Sequence, residues 1–194
     1  MLAKCVENCG FERFEGVLKA NYFDKKGKVA DRKKTPREFF ETFGSKNCVI
    51  GHMIYPGFTD GNKIIFITRN PLDWAISMAR YKTKDRPTIP SRESVAYTIE
   101  NKMRILFGFV GWLYKADLVV KFEDLIANNQ KPLVNIRNLL GVNIPLELIG
   151  SHINLSSRTY TGVLSNHVTY FDSELRELFE ENHGGKLMEL FGYA

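Results

Sequence analysis

An arginine, Arg69, ends the apolar run KIIFIT at residues 63–68 and stands immediately before Asn70 and Pro71, which open an amphipathic segment. The start of a helix offers free N–H groups and the positive end of the helix dipole, so a guanidinium there is placed to hold a phosphate. Two further groups occupy comparable places. His52 follows the run NCVIG at 47–51, and Phe122, Glu123 and Asp124 follow ADLVVK at 116–121. A neutral imidazole can take the proton of an attacking hydroxyl.

These positions meet only if the three apolar runs lie side by side in a sheet. Residues 1–9 read as a helix ending at Gly10, and residues 24–36 as a polar, basic surface loop. Thr35 and Pro36 open a short helix that stops on Gly44. Buried strands are expected at 47–51 and 63–68. Asn70 as cap, Pro71 at the first helical position and Asp73 three after the cap start a helix reaching about Lys82. Ser91 and Ser94 precede a long helical segment to about Tyr114. A third strand is expected over 116–124, a helix over 132–140 stopped by Gly141, and a long amphipathic helix over 172–191. Residues 151–171 are polar and carry no assignable element. There is no internal repeat and no linker, so residues 1–194 read as one domain. Strands alternating with helices define an α/β fold with a mostly parallel sheet flanked by helices. In such sheets ligands lie beyond the carboxyl ends of the strands.

Composition narrows the classes. With 44% hydrophobic and 25% charged residues, the 194-residue chain reads as soluble and globular. The net charge of +5 suits an anionic ligand and falls short of a nucleic-acid-binding tail. Three cysteines, Cys5, Cys9 and Cys48, argue against a disulfide framework and for a reducing compartment or buried thiols, and a cytoplasmic location is expected. Cys5 and Cys9 have no other soft ligands nearby, so no metal site is expected. No apolar run approaches the roughly 18 residues of a membrane span, and no signal peptide is visible.

RNPLDWAIS (69–77) resembles the 3′-phosphate-binding motif of sulfotransferases, R-N/D-P-x-D-x-x-x-S at a strand end. VIGHMIYPGF (49–58) is similar to the strand and histidine region before that motif, and VVKFEDLIAN (119–128) to the Y-E-D-L segment. Residues 158–193 are similar to the family's C-terminal part: R-K-G-x-x-G-D-W, then F-T-P-E, a helix and L-G-Y. Four matches in order are a specific signal. The resemblance implies a P-loop NTPase-like fold that transfers a sulfuryl group from 3′-phosphoadenosine 5′-phosphosulfate (PAPS) to an acceptor hydroxyl or amine, without a metal.

By that resemblance Arg69 and its serine partner Ser77 hold the 3′-phosphate, and Phe122 stands where a tyrosine often lies near adenine. Gly162 keeps the family's glycine, with Arg158 replacing the charge lost where the R-K pair becomes Tyr160 and Thr161. His52 falls at the catalytic histidine of the cytosolic members, although other members use a glutamate. Glu123 and Asp124 recur across the family as a strand-end feature and read as structural, while Trp74 reads as core packing. His167, in place of the family's tryptophan, reads as a loop residue. Competing readings stand beside these: a surface Arg69 paired with Asp73, a structural His52, a solvated Arg158, and a Phe122 that only packs.

One departure is large. The phosphosulfate loop of the family, approximately P-K/R-S-G-T/S-T, has no counterpart in the sequence, and GGK at 184–186 lacks the rest of a P-loop. Residues 1–11 look like the helix that follows that loop. The expectation is a truncated chain, a loop supplied by a partner, or a relative without catalysis, and little sulfuryl transfer by this chain alone. A non-catalytic nucleotide-binding relative is therefore an alternative. So is an anion- or RNA-binding module using the basic loop between Lys25 and Lys34, though that loop lacks the interleaved aromatic residues of single-strand binders. The expected partner is a small-molecule or glycan acceptor that no pattern identifies.

Overall fold

The computed structural model describes residues 12–13, 47–48, 63–82, 89–127, 129–141 and 167–194. Within them lie β1 (Glu12–Arg13), β2 (Asn47–Cys48), β3 (Ile65–Thr68), α1 (Pro71–Lys82), α2 (Arg92–Lys102), α3 (Arg104–Phe107) and α4 (Val110–Lys115). Then follow β4 (Leu118–Lys121), α5 (Phe122–Ile126), α6 (Gln130–Leu140), α7 (His167–Tyr170), α8 (Ser173–Glu181) and α9 (Gly184–Leu190). Both strand pairs are parallel: β1 with β2, and β3 with β4 in the register Ile65↔Leu118 to Thr68↔Lys121. Helices combined with parallel strand pairs place the described residues in the α/β class.

The β3–β4 pair is fixed at its entry by Asp117. Its carboxylate accepts from Ile64 N–H at 2.8 Å, and its own N–H donates to Ile64 O at 3.0 Å. Helix α1 starts where the sequence places it. The Asn70 side chain accepts from Leu72 N–H at 2.9 Å, and Asn70 O accepts from Trp74 N–H at 2.8 Å. Leu72, Ala75, Ile76 and Ala79 recur at helical spacing and are all buried. They join Val95, Ile99, Met103 and Leu106, together with Leu175, Phe179, Leu187 and Phe191, in one core cluster against which Phe66 and Trp74 pack. Alternation along the strands turns Val120 to the other face, where it is buried and α6 packs on β4.

Several boundaries differ from the sequence reading. The helix expected to run to Tyr114 is three helices, interrupted at Met103 and again at Gly108 and Phe109. Ser91 alone caps it, its hydroxyl accepting from Ser94 N–H, so Ser94 lies inside the helix. The apolar stripe continues through the breaks, which is why periodicity does not reveal them. The strand expected over 116–124 ends at Lys121, and Phe122, Glu123 and Asp124 form the first turn of α5. The long C-terminal helix is two helices, divided at His183, whose φ of 65° is left-handed. Gly184 follows directly, and a Cβ there would meet the Phe179 ring at 2.1 Å, so the turn requires glycine. Helix α6 begins two residues earlier than expected, capped by Asn129, and stops at Gly141 with φ 64° as anticipated. The strand β1 was not anticipated. The expected helices over 1–9 and 36–44, the loop over 24–36 and most of the strand over 47–51 lie outside the described residues.

Candidate functional site

The carboxyl ends of β3 and β4 are brought side by side by the Thr68↔Lys121 pairing. Immediately beyond them, the Arg69 guanidinium lies over the Phe122 ring, 5.0 Å from its centroid. This cation–aromatic contact holds the arginine at the mouth of α1, next to the capped first turn. Glu123 ties the two crossings together, since its Oε1 accepts from Asn70 N–H at 3.0 Å. Ser77 is buried on α1, one turn beyond Asp73, and these two positions share a helix face. Arg69, Ser77 and Phe122 thus lie on the adjoining β3–α1 and β4–α5 elements. His52, Arg158 and Gly162 lie outside the described residues.

Asp73 does more than start a helix. It is 4% exposed, and its Oδ1 accepts from the His167 backbone N–H at 3.0 Å. The His167 ring presents Nδ1 at 3.0 Å from the same oxygen, in a bent contact that becomes an ion pair when the imidazole is charged. Burial by itself would push the Asp73 carboxyl up. The His167 ring and backbone, with the charges of His167 and Arg69, outweigh that and hold it below the ordinary carboxylate value. His167 is therefore a structural partner of the Arg69 turn, not the loop residue that local sequence suggests. No local signal marks the pair, because the partners are 94 residues apart.

The lowered carboxyl fixes the sign of a pH effect. A group whose folded value is depressed contributes stability that is complete above its unfolded value, about 3.9, and is lost as the pH falls through the folded value. Urea midpoints measured from about pH 5 down to about pH 2.5 should therefore fall more steeply for the wild type than for Asp73→Asn. Parallel acid limbs would show that Asp73 carries no linked stability.

The C-terminal residues complete the strand ends. The Tyr193 hydroxyl donates to Glu123 Oε2, and the Lys121 amine donates to Gly192 O while lying 4.6 Å from the Tyr193 ring centroid. Burial, followed by the neighbouring Glu123 carboxylate, pushes the Tyr193 hydroxyl well up, so it remains a donor at any physiological pH. A cleft of about 410 Å³ runs beside β4, with Thr68, Lys121, Asp124, Lys131 and Gly192 in its wall. Arg69, Phe122 and Ser77 do not line it.

Among the described residues no cluster of three or more histidine, cysteine or acidic side chains is arranged to hold a metal ion. No helix among them is long and apolar enough to cross a membrane. No family model matches the chain, and no curated protein or solved structure matches it either.

Proposed function

We propose that the protein is a PAPS-dependent sulfotransferase of P-loop NTPase-like fold, acting in the cytoplasm on a small-molecule or glycan acceptor. The observation that carries this reading is the Arg69 guanidinium, seated on Phe122 at the carboxyl ends of two parallel strands and at the start of α1. An arginine so placed can meet a phosphate with charge-assisted hydrogen bonds while the helix start adds its own N–H groups. Ser77 is the second contact to the 3′-phosphate in this proposal, and Phe122 flanks the adenine. Gly162 and Arg158 complete the phosphate cradle, and His52 is the base. Sulfuryl transfer needs alignment and charge neutralisation more than covalent help from the protein, as phosphoryl transfer does.

The test compares nucleotides that differ at the 3′ position. Adenosine 3′,5′-bisphosphate should raise the melting temperature more than AMP or ADP. At about 100 times its dissociation constant it should add about 2.7 kcal/mol of stability. Equal shifts from all three would remove the 3′-phosphate site. A bisphosphate-specific shift without product from PAPS and any acceptor would favour the alternative, a nucleotide-binding relative that does not transfer.

A further inference from the structure

A chain of contacts links the C-terminal segment to the two turns at the strand ends. Tyr193 is half-buried and donates to Glu123 Oε2, and the other oxygen of that carboxylate takes the N–H of Asn70. Asn70 adjoins Arg69, and Glu123 adjoins Phe122, whose ring carries the Arg69 guanidinium. Lys121, the residue before Phe122, grips Gly192 O and faces the Tyr193 ring. Behind the tyrosine, Phe191 packs against Phe66 of β3 with ring centroids 6.2 Å apart. A single carboxylate thus joins the β3–α1 turn, the β4–α5 turn and the C-terminal segment.

We propose that Tyr193 is a positioning residue for Arg69: through Glu123 it sets the relative placement of the turns that carry the guanidinium and its aromatic seat. A carboxylate with two oxygens and no clamp on one of them can pivot about its last side-chain bonds. The tyrosine hydroxyl removes that freedom, so the bond to Asn70 N–H is held in one orientation. The tyrosine need not touch a ligand. Its effect is on where the arginine stands when a ligand arrives, which is preorganisation. For its functional consequence, though not for the geometry, this inference rests on the proposed 3′-phosphate site.

The experiment uses Tyr193→Phe, which removes one oxygen and keeps the ring against Lys121. The first readout needs no ligand: the side-chain Nε–Hε signal of Arg69 in a proton–nitrogen correlation spectrum, identified by its loss in Arg69→Lys. In Tyr193→Phe this signal should move or broaden, while backbone signals of α2 and α8 stay in place. The second readout is the affinity ratio of adenosine 3′,5′-bisphosphate to AMP, which should fall several-fold. Glu123→Gln provides a second variant, because the amide oxygen still accepts from Asn70 N–H and the amide group can still pair with the tyrosine oxygen. It should perturb Arg69 less than Tyr193→Phe does. A folded Tyr193→Phe protein with an unshifted Arg69 signal would overturn the proposal, and a lowered melting temperature alone would reveal only a stabilising contact. If the wild type shows no preference for the bisphosphate, the sulfotransferase reading fails, and the Arg69 signal still decides the role of Tyr193.

Discussion

Arg69→Ala should weaken adenosine 3′,5′-bisphosphate by about 1.5–3 kcal/mol, roughly 10- to 150-fold, while leaving AMP almost unchanged. The asymmetry follows from the chemistry of the two ligands. Only the bisphosphate carries the 3′ charge that the proposed function assigns to the guanidinium, so only its affinity should lose a charge-assisted hydrogen bond. Arg69 also rests on Phe122 and adds to the field at Asp73, so its removal affects the local fold as well. Isothermal titration of both nucleotides separates these contributions. A fold effect weakens both alike, and equal losses would show that Arg69 acts through the scaffold and not on a 3′-phosphate.

The second large effect concerns proton transfer. In a form of the protein that turns over, His52→Ala should lower the rate by about 10² to 10⁴, as loss of a general base does, and leave bisphosphate affinity nearly intact. The structure adds a control that the sequence did not supply. His167 is also an imidazole near the Arg69 turn, but its Nδ1 faces the buried Asp73 carboxylate. His167→Ala should chiefly cost stability, because it deprives a buried carboxylate of its ring partner. The backbone N–H remains to serve the same oxygen. Single-turnover rates of the two variants decide between them. Normal turnover in His52→Ala with a collapse in His167→Ala would transfer the role of base to His167, whose ring is oriented by a carboxylate in the manner of catalytic histidines.

Local chemistry was legible in the sequence, and distant pairing was not. The start of α1 could be read because Asn70, Pro71 and Asp73 each have a defined task within one turn, and the Gly141 stop is equally local. The parallel pairing of β3 and β4 followed from two apolar runs separated by helices, although Ile67 and Val119 on them are exposed, and it placed Arg69 and Phe122 at the same edge. Breaks inside helices escaped because Met103 and Leu106 prolong the apolar stripe past the interruption. The division at His183 escaped because a left-handed histidine leaves no trace in hydrophobic periodicity. Strand β1 consists of Glu12 and Arg13, two polar residues that form a strand by pairing with β2 and carry no pattern of their own. Asp73 with His167, and Glu123 with Tyr193, join residues 94 and 70 positions apart, beyond anything that spacing can express.

The pairing of Ile65 with Leu118 has a consequence for the order of folding. Bringing together strands some 50 residues apart costs about 3.5 kcal/mol of loop-closure entropy beyond a constant. No single ladder bond repays that. The helices within the connection are expected to dock first, because the contacts between α1 and α2 span short stretches of chain and Ala75, Ile76, Val95 and Ile99 on them are buried. Once they have docked, the effective loop is far shorter than its residue count, and the strands close at lower cost. The edge that carries Arg69 and Phe122 should therefore be assembled late. In the native protein the same order in reverse is expected: an opening that parts β3 from β4 would dissolve the edge that carries Arg69 and Phe122 while the helical core stays intact.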